Sequence, residues 1–223
     1  MNARLAVVFA AFVVLTGCAV EVPTFDPPPI TYLTPTGDAA DALAELTVKG
    51  RAPRTGYDRD QFPHWSDLDG DGCDTRAEIL ERDARPGTVT ADRQGCAIGA
   101  VIGDPYTGTD LVELPGPGSV VDVEHVVALG DAWQKGAQQL TREQREQFAN
   151  DPVGLLAVDD TLNRQHGDGD AATWLPPRRE FRCAYIARQI AVKARYGLWV
   201  TPPERDAMAR VLDGCPGQPL PVS

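Results

Sequence analysis

The sequence predicts an α+β fold, with a small β element set among helices. Three observations carry this. Residues 178–198, "RREFRCAYIARQIAVKARYGL", place Phe181, Tyr185, Ile186, Ile190 and Ala194 on one face at helical spacing. "CAIGAVIG" and "TGTDLVEL", between Cys96 and Leu114, are short β-like runs parted by the turn "DPYTG". No internal repeat extends either pattern, and 223 residues with a 43% hydrophobic fraction suit one domain preceded by an arm.

The elements follow in order. After Arg4, "LAVVFAAFVVL" (Leu5 to Leu15) is too short to span a bilayer and suits the apolar part of a signal peptide. It ends in "LTGC", which looks like a lipoprotein cleavage box, so residues 1–17 are expected to leave and Cys18 to carry lipid; the rival is a plain secretory signal. Residues 18–37 are Pro-rich and read as an extended linker. The folded domain is expected over residues 38–216, with 217–223 as a tail. Within it, "DAADALAELTVKG" opens on a capping Asp38 and closes on Gly50, a short helix, and "TRAEILERDA" (Thr75 to Ala84) is another. "TREQREQFAND" is a polar helix stopped by Pro152. "GLLAVDDTLNRQHGDGDAATWLPP" starts apolar and turns loop-like, and "TPPERDAMARVLDGC" has Pro at its start and Gly at its end, as helices do.

Charge and cysteines narrow the function classes. The net charge is -11, or -12 without residues 1–17, whose one charged side chain is Arg4. Such a surface repels nucleic acid and anionic lipid at long range and suits a solvated envelope protein that collects divalent cations. Apart from Cys18, four cysteines remain, an even set that suggests two disulfides in an oxidising compartment. Of three possible pairings, proximity in sequence favours Cys73–Cys96 and Cys183–Cys215. No Cys-x-x-Cys spacing supports a zinc site.

"DLDGDGCDTRAE" fits the calcium-loop pattern D-x-D-x-D-G-x5-E. Asp67, Asp69 and Asp71 stand at positions one, three and five, Cys73 at seven and Glu78 at twelve. Pro63 argues against an entering helix and Asp74 stands where an apolar residue is usual, so an acidic turn that caps the helix from Thr75 is the competing reading. A calcium ion there would be structural.

"VDVEHVVALGDAW" (Val121 to Trp133) sets ionisable Asp122, Glu124 and His125 in a run that otherwise reads as a buried strand. Burying such charges unpaired costs several kcal/mol, on the order of the penalties for ions in proteins. Glu124 and His125 would face opposite ways on a regular strand and share a site only at a bend or strand end. Farther on, Asn163 and His166 stand about one helical turn apart. A metal-dependent phosphodiesterase needs a base for water beside oxygen or nitrogen ligands for a divalent ion.

The motifs "GYDRDQF", "GCDTRAEIL", "DPYTG", "VDVEHVVALGDAW", "FANDP", "LLAVDDTLNRQHGD", "WLPP" and "CAYIARQIAVKARYGL", in this order from Gly56 to Cys215, resemble the HNH or ββα-metal endonucleases, in the branch of the C-terminal domain of GmrSD-type restriction enzymes. The resemblance implies a disulfide-stapled α+β domain around a ββα-metal core, with short antiparallel strands surrounded by helices. It implies His125 as the general base, Glu124 as the metal-binding acid and Asn163 as the helix residue that ligates or orients one Mg²⁺-like ion. It also implies a nucleic-acid substrate; the membrane partner follows from the lipid on Cys18, and the chain is expected to be a monomer. Three departures stand out. The motif's middle Asn should fall near Gly154. His166 occupies a position where relatives often carry Lys, so a phosphate-facing charge is expected to be lost above its pKa. Glu124 is longer than the common Asp. These departures and the acidic charge suit the alternative of a non-catalytic, calcium-binding envelope lipoprotein on a degenerate nuclease scaffold. Asp122 either orients a ligand or faces solvent, and the solvent-facing reading is preferred. His64, Trp133, Trp174 and Trp199 read as packing residues, and Arg178, Arg179 and Arg182 as a basic patch.

Overall fold

A computed structural model describes residues 37–221. The signal-like segment, Cys18 and the Pro-rich stretch to residue 36 lie outside them. Helix α1 (Ala39–Glu45) starts where Asp38 accepts a hydrogen bond from the Ala40 amide, and it ends at Leu46 rather than at Gly50. The chain then runs extended, with Val48 bridging Val200. A 3-10 turn at Arg59–Gln61 follows. Helix α2 (Thr75–Asp83) is capped by Asp74. Strands β1 (Thr90–Ala91), β2 (Ala97–Gly103) and β3 (Asp110–Glu113) form one antiparallel sheet. Its β2–β3 hairpin turns at "DPYTG", where the Asp104 side chain accepts the Tyr106 and Thr107 amides.

Strand β4 (Val121–His125) leads into helix α3 (Leu129–Gln134), a helix inside the stretch that reads as strand. Helix α4 (Arg142–Ala149) begins with a Thr141/Gln144 capping box. Strand β5 (Leu155–Asp159) pairs antiparallel with β4, from Val121 opposite Asp159 to His125 opposite Leu155. Helix α5 (Asp160–His166) follows directly, so β4, β5 and α5 make the ββα unit. The tract that looks loop-like by itself is thus a strand and a helix, as the family resemblance implies. Helices α6 (Arg182–Arg195) and α7 (Pro202–Leu212) complete the domain. The expected apolar stripe of α6 needs one correction. Ala194 is exposed, and Ala191 and Lys193 are buried in its place. The residues expected as a tail join the fold, because Gln218 and Leu220 exchange backbone hydrogen bonds with Ala39 and Gly37.

Two cores flank the ribbon. Residues opposite one another on paired strands share a face. Val121 and Val123 with Leu155 and Ala157 close a smaller core against α2 and β2. Leu156 and Val158 join the larger core of α1, α3, α6 and α7. Disulfides Cys73–Cys96 and Cys183–Cys215 tie the acidic loop to β2 and the start of α6 to the end of α7, the pairing that sequence proximity favours.

The larger core contains charge. Lys135, 0% exposed, donates to Asp131 (2.8 Å), Asp170 (2.8 Å) and Glu204 (2.6 Å). Lys193, 1% exposed, meets Glu204 at 2.9 Å and Asp131 at 3.5 Å. Arg51 closes the set on Asp131 and Asp170 at 2.7 and 2.6 Å. Three acids and three bases balance, which is what permits their burial. Burial pushes Asp170 up, but the Lys135 hydrogen bond and charge reverse this and hold its carboxyl below the usual range. Burial likewise pushes Lys193 down, and Glu204 and Asp131 outweigh it.

Removing one member leaves its partners buried and unpaired. Lys135→Ala is expected to cost about 3–5 kcal/mol in urea unfolding, whereas Arg205→Ala, which breaks the exposed Arg205–Asp206 pair, should cost less than about 1 kcal/mol. A Lys135→Ala midpoint equal to that of the parent would contradict a structural role for the network. The pH profile follows from the same groups. A depressed Asp170 adds stability above the unfolded value of 3.8 and loses it as pH falls through the lower folded value. A raised Lys193 adds stability below 10.5 and loses it as pH rises through the higher folded value. The network's own contribution should therefore be level between these limits and fall at both ends; the mid-range dependence comes from His125 and His166, whose shifts are opposite in sign and place a maximum near their shared ordinary value.

A polar cleft at the end of the ribbon

His125 is the last residue of β4, and this solves the problem of facing. Glu124 lies on the α5 side of the ribbon and His125 on the smaller-core side, but where the strand ends both line one cleft of about 70 Å³ with Asn163, His166, Asp168 and Arg59. Glu124 is 2% exposed and His125 8%.

The His125 ring is held by one hydrogen bond, Nε2–H to the Ala149 carbonyl at 2.8 Å. That assigns the neutral tautomer with Nδ1 free to accept a proton. Burial is the main cause that lowers its pKa from 6.5 to about 3. The bond to Ala149 opposes this, and the charges of Arg59 and His64 add to it. The ring is neutral at neutral pH. Trp65 packs over it, centroids 5.7 Å apart and 32° from parallel, and His64 approaches edge-on at 6.3 Å. His64 thus packs beside the cleft as well as near the acidic loop. Trp65 has φ +62°, uncommon for a bulky residue. Its backbone is clamped by Asn150, which donates to the Pro63 carbonyl and accepts the Ser66 amide. Asn150, next to Ala149, is therefore the amide that ties this loop together. Gly154, where a middle Asn was expected, contributes backbone alone: its carbonyl accepts the Val126 amide and its amide donates to the Asp151 carbonyl.

Helix α5 brings two side chains down on the other face. Asn163 Nδ2 donates to Asp122 Oδ2 at 3.1 Å, so Asp122 orients a neighbour instead of simply facing solvent. This leaves Asn163 Oδ1 without a partner among the described residues. His166 Nδ1 meets Glu124 Oε1 at 2.5 Å, and its Nε2–H donates to the Gly169 carbonyl at 2.9 Å. Burial lowers the His166 pKa, but the hydrogen bond and charge of Glu124 raise it further, to above the ordinary value. His166 is thus committed to Glu124 inside the fold, not the phosphate-facing group expected from its position. Trp174 stacks on it at 4.8 Å. Burial, then the charge of Glu124, raises the Tyr106 and Tyr185 phenols well above their usual value.

Two observations bear on a metal ion. Glu124 Oε2 is buried with no donor in hydrogen-bonding geometry among the described residues, and Asn163 presents an unpartnered oxygen. One carboxylate and one amide oxygen suit a hard divalent ion that keeps much of its water shell. Asp168 pairs with Arg54 at 2.6 Å and lies so close to Gly130 that an added Cβ would sit 2.4 Å from its carboxylate.

The acidic loop lies apart from this cleft. Asp67, Asp69 and Asp71 offer oxygens within 4.8 Å of one another, and their side chains accept amides of the same loop. Cys73 donates its amide to Asp71 and is bridged to Cys96. Glu78 stands outside the trio on α2, and burial, then Asp69, Asp71, Asp67 and Asp74, raises its pKa. No helix enters the loop. Of the basic patch, Arg182 donates to the Pro176 carbonyl and Arg178 lies over Gly108. Trp133 and Trp199 are core residues.

If Asp122 orients Asn163, Asp122→Ala should weaken metal binding at the cleft by about 10-fold or more, as expected for a residue that orients a ligand, without unfolding the chain. Isothermal titration with Mn²⁺ reads this, and an unchanged affinity would show that the bond is incidental.

The profile described as "GmrSD restriction endonucleases, C-terminal domain" matches residues 81–211, which contain Glu124, His125, Asn150, Asn163 and His166. The chain is similar to an "uncharacterized secreted protein" of the fungus Arthroderma benhamiae, with 37% identity over 213 residues that cover 95% of this chain and 98% of the relative. No solved structure matches.

Proposed function

The chain belongs to the GmrSD restriction endonuclease C-terminal domain family, and on that premise we propose that it is a metal-dependent endonuclease working outside the cytoplasm. The observation that carries this reading is the pairing, in one small polar cleft, of a neutral His125 with a carboxylate that keeps one oxygen beyond its His166 contact and an amide whose oxygen accepts no hydrogen bond among the described residues. His125 Nδ1 takes the proton of a water, and the resulting hydroxide attacks phosphorus as the bond to the 3′ oxygen breaks. The Nε2–H bond to Ala149 keeps the ring oriented and favours the tautomer that leaves Nδ1 unprotonated. Glu124 and Asn163 would hold the divalent ion, and His166 and Asp122 fix their orientation. When bound, such an ion stabilises the charge that develops on the phosphate and the leaving oxygen.

The compartment is read from three features. The similar fungal protein is described as secreted, two disulfides close in the fold, and the N-terminus reads as a signal. We assign the lipid to Cys18 and a structural Ca²⁺ to Asp67, Asp69 and Asp71, with the Cys73 carbonyl and Glu78 completing the shell. The raised pKa of Glu78 reflects burial first and then repulsion from the loop acids, and a cation there would relieve the repulsion. A second reading, a calcium-binding module that no longer cleaves, is favoured by one observation: His166 already occupies one oxygen of Glu124.

Plasmid nicking with Mg²⁺, and with EDTA, separates the two. His125→Ala should lower the rate about 10²–10⁴-fold while metal binding changes little. Glu124→Ala should lose metal and activity together. Equal nicking by His125→Ala and wild type would show the mechanism to be wrong. Cleavage by neither, with Ca²⁺ still bound, would favour the second reading. Millimolar Ca²⁺ should raise the melting temperature, and Asp67→Ala with Glu78→Gln should abolish the shift; a wild-type melting curve that ignores Ca²⁺ would refute the loop assignment. Cys18→Ser should release the protein from membranes or block its processing, and membrane fractionation like the wild type would count against the lipid.

A further inference from the structure

The cleft is small, about 70 Å³, and its described lining includes Glu124, His125, Asn163 and His166 but no Phe, Tyr or Trp on which a base could stack. Its walls are polar and on balance short of positive charge for a phosphate guest, since His166 is spent on Glu124 and Arg54 on Asp168. One cation remains. Arg59 lines the cleft, is exposed, and has no carboxylate partner among the described residues. In a chain of 32 acidic and 21 basic residues, an unpaired arginine beside buried acids is unusual.

The backbone that carries Arg59 is preorganised. Asp58 caps the 3-10 turn, accepting the Asp60 amide at 3.0 Å. Gln61 donates to the Gly56 carbonyl at 2.6 Å, and Arg145 donates to the Gln61 carbonyl at 2.9 Å. On either side Tyr57 and Phe62 pack edge-on against Trp133. The turn is thus fixed to the core while the guanidinium at its tip is free to engage a guest.

We infer that Arg59 is the phosphate-positioning residue of this cleft, and that the protein engages nucleic acid through its backbone and not through its bases. A guanidinium presents two parallel N–H groups that match two phosphate oxygens. Contacts to phosphate set position and carry no sequence information. The inference rests on the nuclease reading, and because the chain is acidic overall, little other attraction exists to mask the loss of this one contact.

The test is binding of short mixed-sequence DNA duplex, single-stranded DNA and RNA to the full chain carrying His125→Ala, so that no cleavage intervenes. Fluorescence anisotropy is followed across a salt series, with wild-type nicking measured in parallel. Arg59→Ala should weaken binding about 10-fold whatever the sequence, and the slope of log affinity against log salt should flatten by about 1. Arg59→Lys should keep the slope and recover part of the affinity. Arg93→Ala, an exposed arginine in the β1–β2 turn outside the cleft, controls for net charge and should change neither. If Arg59→Ala behaves like Arg93→Ala while the wild type nicks DNA, the Arg59 assignment falls and the nuclease reading stands. A loss confined to some sequences would overturn backbone recognition. If wild type neither binds nor nicks any of these, both fall.

Discussion

The six-charge network, five of its members buried and Arg51 closing it from the surface, is the constraint on which the rest of the fold depends. It gathers α3 through Asp131 and Lys135, α6 through Lys193, α7 through Glu204, and the N-terminal strap through Arg51. Its sixth member, Asp170, also takes the Ala172 amide and so fixes the loop that leaves α5. That loop supplies the Gly169 carbonyl to His166, and His166 orients Glu124. A purely apolar core would pack as tightly, but it would not hold a polar loop against the end of a strand. Whether the charges were retained for that purpose is a matter of specificity rather than net stability, since buried ion sets are often no more stabilising than well-packed apolar residues.

The site repeats this logic on a smaller scale. The two histidines of the cleft are set by what touches them. Burial keeps His125 neutral, Glu124 raises the pKa of His166, and Asp122 turns the Asn163 amide. The Asn150 clamp joins this geometry to the acidic loop, since Ser66, whose amide it accepts, immediately precedes Asp67. The loop, the aromatic cover of Trp65 and the seat of His125 are therefore mechanically continuous, and the Cys73–Cys96 disulfide anchors the far side of that assembly to β2.

Much of this was legible in the sequence where local chemistry decides structure. Helix α7 is announced by Thr201, Pro202 and Glu204, and α2 by Asp74. The cysteine pairing followed from proximity. Where tertiary partners decide, sequence failed. Helix α3 has six residues and no side-chain cap, and it forms because Asp131 and Lys135 join the ion network. Helical periodicity placed Ala194 inside and could not see that Lys193 is buried with Glu204 and Asp131 as partners. His125 and Asn163 are legible through the family resemblance, whereas the roles of Asn150 and Arg59 are not, although both lie in motifs that carry it, "FANDP" and "GYDRDQF". Their roles depend on residues more than 60 positions away in sequence, Ser66 for the first and His125 for the second.

In the proposed mechanism His125 is a neutral base whose Nδ1 is free because Nε2–H is committed to Ala149. Nitrogen-15 NMR of the histidine-labelled chain reads the tautomer directly. At neutral pH the His125 Nε2 is expected to carry the proton and Nδ1 none. A protonated Nδ1 at neutral pH, whether in an imidazolium or in the opposite tautomer, would contradict it.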